Sequence, residues 1–530
     1  NAFSFQLDFD TTGASYFFLA LFNNLNEKTY EHINNYIRHQ PSDIRGLLLY
    51  ANLLFNNNEW FDALFQYRKV LWIDNQNIDA QLGIGLCLYH LQEFNDAVTA
   101  LRKTLKIDPY QHVAYFYLGL ALMAENNFRE AIPNLTQSLL LNPDNSDIYF
   151  NLGKSYFETS KIIQAREAFN RTITIDPQHG LAYYYIGLIN ENIMEIDKAV
   201  HAYAQAQKYS PEIEDVHYRL GMLLYRTGEL KKAMEPLRQY IINQPDDQHV
   251  LEVMGEIFIS ENRFPEAIDT YNRILGIYPE KLETNLALAE SYYQLKELEN
   301  AINVYQNILL FDDENYEVMI RMGSIYNELG EYKEAENILN QAINCTTPTM
   351  KMYYQLALTY GNQGKYMSTV LAFQEALKLK LDDVEIKYQL GIAYMELYNF
   401  HVAAQYFEEY VALNNQDEIA FFFLGKCYYE IGDYPAAILA LQRANALSPN
   451  DHRILYYIGK SYSGLGEESD AALTFRKALK INPEDPEIYF ELGKSYYKLN
   501  KNKKVTETLD ILNMLDRSLY DQLYFEVIRK

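Results

Sequence analysis

The triplet Gly-Lys-Ser, which closes a phosphate-binding loop, occurs three times in this 530-residue chain, at Gly153-Lys154-Ser155, Gly459-Lys460-Ser461 and Gly493-Lys494-Ser495. Nucleotide binding would need a first glycine five residues ahead of the second, because the backbone must wrap an anion between a strand and a helix. Those places hold Ile148, Ile454 and Ile488, branched residues without glycine's conformations, and no strand-like alternation precedes any triplet. The triplets therefore carry no nucleotide chemistry. Their spacing points elsewhere: the last two lie 34 residues apart and the first two 306, nine times 34.

Other reactive side chains offer no catalytic or metal constellation. The ten histidines are dispersed, and none stands four residues from another histidine or a cysteine as metal ligands on a helix would. Cys87 and His90 come nearest, and a lone pair of that kind is read as packing. Cys87, Cys345 and Cys427 are odd in number and far apart, so neither a disulfide framework nor paired zinc ligands are indicated. No cofactor is expected. The residues outside the repeat described next are too few for a catalytic domain, so the chain reads as non-enzymatic.

A formal net charge of −25 opposes nucleic acid and anionic lipid and favours basic partners at long range. Hydrophobic residues at 48% and aromatic residues at 14% are enough for a continuous core, which argues against disorder. The longest uncharged apolar stretch within a predicted helix, Val113 to Ala124, is too short to cross a bilayer. The chain starts at Asn1 rather than methionine, so an upstream segment with any targeting signal is expected to be missing. That leaves the compartment open, with the cytoplasm favoured over the periplasm or another compartment.

Blocks of 34 residues begin at 44, 78, 112, 146, 180, 214, 248, 282, 316, 350, 384, 418, 452 and 486, without insertion, and are numbered repeats 1 to 14 below. Position 8 of each block is always glycine or alanine, as in Ala51, Gly85 and Gly119, so that two helices can cross closely. Position 20 is alanine except at Thr369 and Val505, and is expected to supply the other half of that crossing. Apolar residues at positions 7, 11 and 24 fall on one stripe of each of two helices. Position 32 is often proline, as at Pro109, Pro143 and Pro483, which stops the second helix and turns the chain.

This pattern resembles the tetratricopeptide repeat family over residues 44–519, departing from it at position 4, where Leu47, Tyr115, Tyr149 and Tyr183 replace the family's common tryptophan. The resemblance implies an all-α, right-handed superhelical solenoid of about 14–15 helix-turn-helix repeats. Residues 1–43 are read as an N-terminal arm and a degenerate capping repeat, with Phe17 at position 8 and Thr29 at position 20. The first nine residues, alternating Phe3, Phe5, Leu7 and Phe9, are either a linker tail or loosely docked arm, or a strand that pairs with a missing part. At the other end, Ser518 to Lys530 carries Leu519, Leu523 and Val527 at four-residue steps, so residues 520–530 should close the core as a capping helix. Position 32 is Asp313, Thr347, Leu381 and Asn415 in four successive repeats, which predicts a softer or differently curved segment at about 310–417.

In the family, positions 2, 5, 6, 9, 12 and 13 of the first helices face a concave groove. On that placement, repeats 1 to 4 present Leu48, Leu49, Leu82, Leu86, Tyr89, Phe116, Tyr117, Leu120, Met123 and Phe150, almost without charge. Such a surface suits an amphipathic helix or an extended apolar peptide, unless its aromatic residues serve to pack neighbouring first helices. The middle repeats mix Arg219, Arg226 and Arg321 with Glu252, Glu256 and Glu290, read as pairs across repeats without function. In repeats 12 to 14, position 9 is Lys426, Lys460 and Lys494, flanked by Phe422, Tyr429, Tyr456, Tyr457, Phe490, Tyr497 and Lys498. This lysine ladder suits an acidic or C-terminal carboxylate segment, unless Glu430 and Glu491 neutralise it internally.

Two family specialisations do not fit. No three successive repeats supply the carboxylate clamp of the chaperone-binding type, and the asparagine ladder of the sugar-transferring enzymes is matched at Asn151 alone. The expected function is a non-enzymatic scaffold or adaptor that binds partner segments in its groove. The alternatives are the recognition or regulatory arm of a larger enzyme, secretion or motility complex, and self-association into a rod or ring.

Overall fold

The computed structural model describes residues 27–528, among which lie thirty α-helices and no strand. Residues 1–26, and with them the arm and the first half of the capping repeat, lie outside the described part. The chain forms two compact units, Asn1–Ile257 and Phe258–Lys530. Every first helix starts at position 1 of its block and every second helix at position 17, from Ile44–Asn56 and Trp60–Ile73 to Pro486–Lys498 and Asn502–Leu515. The unbroken 34-residue spacing is therefore an unbroken alternation of paired helices.

Within each unit a second helix packs on the first helix of its own repeat and on that of the next. The small residue at position 8 makes the first of these contacts possible. A methyl group on Gly119 would lie 2.6 Å from Leu135 Cγ, and one on Gly459 2.6 Å from a ring carbon of Phe475, so the side chain at position 24 fills the space that glycine leaves. It is thus position 24, not the alanine at position 20, that comes closest. The alanines from Ala63 to Ala335 in that series are nonetheless fully buried. In repeat 14 the atom nearest Gly493 belongs to Leu523 of the closing helix Arg517–Ile528. Leu523 is fully buried there, with Leu519 and Val527 packed on the same cluster.

The turn between paired helices obeys a rule that the periodicity did not reveal. Position 15 has a positive φ in all fourteen repeats, including Met194 at 61°, Lys296 at 61° and Tyr398 at 56°. The reason lies in the next residue, whose N–H donates across the turn to the carbonyl of position 11 at 2.8–2.9 Å, as in Glu59 to Leu54 and Glu195 to Asn190. That bond satisfies an orphan helix carbonyl and offsets the left-handed conformation. Glycine or asparagine at nine of the fourteen positions was the available sequence signal.

The turn between repeats also has one form and one exception. Position 31 donates its N–H to position 27, as Asp312 does to Ile308, Lys380 to Ala376 and Asn414 to Tyr410. Three of the turns in the segment 310–417, where position 32 is not proline, close in the same way: Asn315, Asp383 and Asp417 donate to Asp312, Lys380 and Asn414 at 3.3, 3.3 and 3.4 Å. At the junction of repeats 9 and 10 neither bond is present among the described residues. Thr346 is fully extended there, with φ −148° and ψ 176°. Proline stands one place late, at Pro348, and bars Thr347 from helical geometry. Flexibility in the segment 310–417 is therefore expected to concentrate at 346–349. Hydrogen exchange should be faster at residues 346–352 than at the matching residues 312–318 and 380–386; equal protection would refute this.

Candidate functional site

Repeats 12, 13 and 14 start with helices Glu418–Ile431, His452–Gly464 and Pro486–Lys498, capped by Asp417, Asp451 and Asp485, whose carboxylates accept first-turn N–H groups. The Gly-Lys-Ser triplets lie in the interior of such helices. Ser155 and Ser461 turn their hydroxyls back to the carbonyls of Asn151 and Tyr457, both at 2.8 Å. Backbone N–H groups inside a helix are already spent on the helix, so no anion cradle exists at the triplets.

The second members of the last two triplets are two of the ladder lysines, and their surroundings differ sharply. Lys460 Nζ lies 4.6 Å from the ring centre of Tyr429, 5.2 Å from that of Tyr456 and 5.3 Å from that of Tyr457. It is an ammonium set among three π faces, each contributing about 0.5–1 kcal/mol where water has access. Lys426 Nζ is 6.0 Å from the Tyr457 ring. Neither lysine has a carboxylate within 4.0 Å among the described residues. Lys494 lies 5.2 Å from the Phe490 ring and is paired at 3.2 Å with Glu491, one turn back on its own helix. Lys498 is paired at 2.6 Å with the buried Glu468. Of the two carboxylates expected to neutralise the ladder, Glu491 does so at one rung, while Glu430 is exposed and forms no ion pair among the described residues.

The rings form a connected cluster. Tyr457 meets Phe422 and Tyr429, both at 5.7 Å and both edge to face, and Tyr456 at 5.5 Å. Burial pushes the Tyr429 hydroxyl up to about 12, with Glu430 and Glu491 adding to the shift, and burial raises Tyr456 and Tyr457 as well. All three are therefore neutral phenols at physiological pH. Tyr497 stands apart, exposed and without a ring contact among the described residues. Sequence reasoning missed Arg453, which lies 5.8 Å over the Phe422 ring and is clamped by Asp451 at 2.6 Å. It occupies position 2, a groove position of the family, so inspection of that position in repeat 13 would have found it.

The apolar residues of repeats 1 to 4 are mostly engaged in packing. Leu48, Leu82, Tyr89, Phe116, Tyr117 and Met123 rest on the core of unit 1, and Leu49 on Ile33 and Leu53. Tyr89 and Tyr117 meet edge to face at 5.2 Å, and Phe150 lies 4.6 Å from the His179 ring and 5.8 Å from Phe169. Leu86 and Leu120, at position 9, are half-buried and outside that packed set. His90 stacks on Trp60 at 5.0 Å, and burial pushes the Cys87 thiol up to about 12. In the middle repeats Glu191 holds Arg219 at 3.3 Å and Arg226 at 3.1 Å, and Glu290 holds Arg321 at 3.4 Å. Glu256 instead accepts from Tyr225, and Glu252 from Gln248 at 2.7 Å.

Family models described as tetratricopeptide repeat match residues 79–109, 117–190, 195–248, 296–356, 354–418 and 388–452, and one described as TPR repeat matches 465–500. The chain belongs to the tetratricopeptide repeat family. No curated protein matches it. Among solved structures it is similar to the C-terminal part of a TPR repeat-containing protein from Cytophaga hutchinsonii, at 18% identity over 43% of this chain and 94% of that one, with a TM-score of 0.38. A second similar structure is MamA residues 41-end from Desulfovibrio magneticus RS-1, at 24% identity, 32% and 96% coverage and a TM-score of 0.31. A third, Naa15/Naa10 bound to HypK-THB, is similar at 11% identity, 98% and 96% coverage and a TM-score of 0.33. As a tetratricopeptide array the chain is, in general terms, a protein-interaction scaffold. No helix among its described residues is long and apolar enough to cross a membrane.

Proposed function

We propose that this scaffold or adaptor holds an acidic segment of a partner protein on the strip formed by Lys426, Lys460 and Lys494, and an apolar segment on the first repeats around Leu86 and Leu120. The observation that carries the acidic strip is that Lys426 and Lys460 face tyrosine rings and not carboxylates, so that their charge remains available in a chain of net charge −25. A carboxylate arriving there gains charge-assisted hydrogen bonds, and the rings on either side shield them from water. Phe422, Tyr429, Tyr456, Tyr457 and Phe490 supply apolar surface for the side chains between the acidic ones. The site thus selects by charge and by shape together.

The test is affinity capture from native extract with three proteins: the wild type, a Lys426→Glu, Lys460→Glu, Lys494→Glu variant, and a Leu86→Glu, Leu120→Glu variant. Each variant should lose a different partner, the first an acidic protein, while circular dichroism stays unchanged. A captured set that is the same for all three would sink both assignments.

A further inference from the structure

Position 11 of the first helix is leucine, phenylalanine or tyrosine in thirteen of the fourteen repeats. Four of its eight tyrosines reach back to position 25 of the preceding repeat. Tyr326 accepts from Gln306 at 3.4 Å, Tyr394 from Gln374 at 3.0 Å and Tyr462 from Gln442 at 3.5 Å, and Tyr428 donates to Glu408. Repeat 5 is the exception. It has Asn190 at position 11, with Asn170 at position 25 of repeat 4.

Both asparagines line a cavity of about 680 Å³ between the second helix of repeat 4 and the two helices of repeat 5. The matching groove of repeats 8 and 9, where Tyr326 and Gln306 are among the lining residues, measures about 510 Å³. Ile173, Ile186 and the Tyr183 ring give the larger cavity apolar walls. Asn190 is only 4% exposed, and its side-chain amide makes no hydrogen bond among the described residues. Both amide atoms still reach the water of the cavity, and a polar group entering there would take that water's place. The ligand need not be charged. Arg166 and Lys198, which also line the cavity, are already paired with Glu195 at 3.8 and 2.9 Å.

We propose that the cavity beside Asn190 is a binding site for a neutral phenol ring, supplied by a tyrosine side chain of a partner or by a small-molecule phenol. The ring takes the apolar walls, and the hydroxyl takes the amides of Asn190 and Asn170, as the chain's own tyrosines do with glutamine elsewhere. This site is on different helices from the lysine strip and stands or falls separately from it.

Calorimetric titration of the full chain with 4-methylphenol tests it, with toluene as the ring that lacks the hydroxyl. The wild type should bind 4-methylphenol with a Kd of about 1 mM, a reasonable strength for a ligand of so few atoms, and toluene more weakly. Asn190→Tyr fills the space with the chain's own ring and Asn190→Leu fills it with an apolar residue common at position 11. Each should weaken 4-methylphenol binding by at least about tenfold. Two independent fillings keep the test informative if one variant folds poorly. Displacement of 4-methylphenol by N-acetyltyrosinamide would assign the site to a side chain, and failure to displace it would assign it to free phenols. Absence of 4-methylphenol binding by the wild type, or equal binding by the filled variants, overturns the proposal.

Discussion

A Gly119→Leu substitution is expected to destabilise the array by about 3 kcal/mol, the upper part of the range for overpacking a well-filled core. The added Cβ would stand 2.6 Å from Leu135 Cγ, and Leu135 is fully buried and cannot swing into solvent. Gly119→Ala should cost less, because about 1 kcal/mol of helix propensity gained from losing glycine offsets part of the clash. The decisive experiment is a double-mutant cycle with Leu135→Ala, followed by chemical denaturation. Leu135→Ala alone should cost about 2–5 kcal/mol through the cavity it leaves, and adding Gly119→Ala should partly fill that cavity. Simple additivity of the two would show that position 24 is not what holds position 8 small. Hydrogen exchange should place the damage in repeats 2 to 4, since helix pairs in such an array depend on their neighbours.

That contact marks where sequence reasoning reached and where it stopped. Glycine or alanine every 34 residues announces a close approach, because only a missing side chain leaves room for one. What approaches was assigned to the alanine at position 20, and the structure gives it to position 24, since a small residue on one helix is matched by a large one on the other. The turn at position 15 escaped notice for the opposite reason. Met194, Lys296 and Tyr398 are not turn formers, and they take the left-handed conformation because the bond from position 16 to position 11 imposes it. The irregular junction was legible only as a broad region. Its cause, a proline displaced by one place to Pro348, acts at a single turn, while the turns at Asp313, Leu381 and Asn415 close by ordinary hydrogen bonds without any proline.

The lysine strip was legible in its residue types and not in its charge balance. Three lysines at one repeat position suggest three equivalent rungs. Equivalence fails because Glu491 lies within reach of Lys494, whereas among the described residues no carboxylate lies within reach of Lys460. That difference depends on which neighbours share a face of one helix or of two, which a count of charges does not contain.

The strip therefore makes an unequal prediction. Fluorescence anisotropy with a labelled peptide of alternating glutamate and leucine, ending in a free carboxylate, should give an affinity that falls about tenfold for Lys460→Met, on the order of 1.4 kcal/mol for one charge-assisted contact in a partly dry site. Methionine matches the four-atom stem of lysine and lacks only the ammonium, so the packing of the stem on Tyr429, Tyr456 and Tyr457 survives and the charge is removed. Lys494→Met should change the affinity by less than about threefold, because Lys494 already spends its charge on Glu491 at 3.2 Å. Lys426, with one ring beside it and no carboxylate within ion-pair distance among the described residues, should fall between them. Raising salt should weaken wild-type binding and narrow the gap between Lys460→Met and wild type, since screening removes from both what the substitution removes from one. Equal losses for Lys460→Met and Lys494→Met would mean that the tyrosine faces do not decide which lysine is available, and the strip would then act as undivided positive charge with no selective rung.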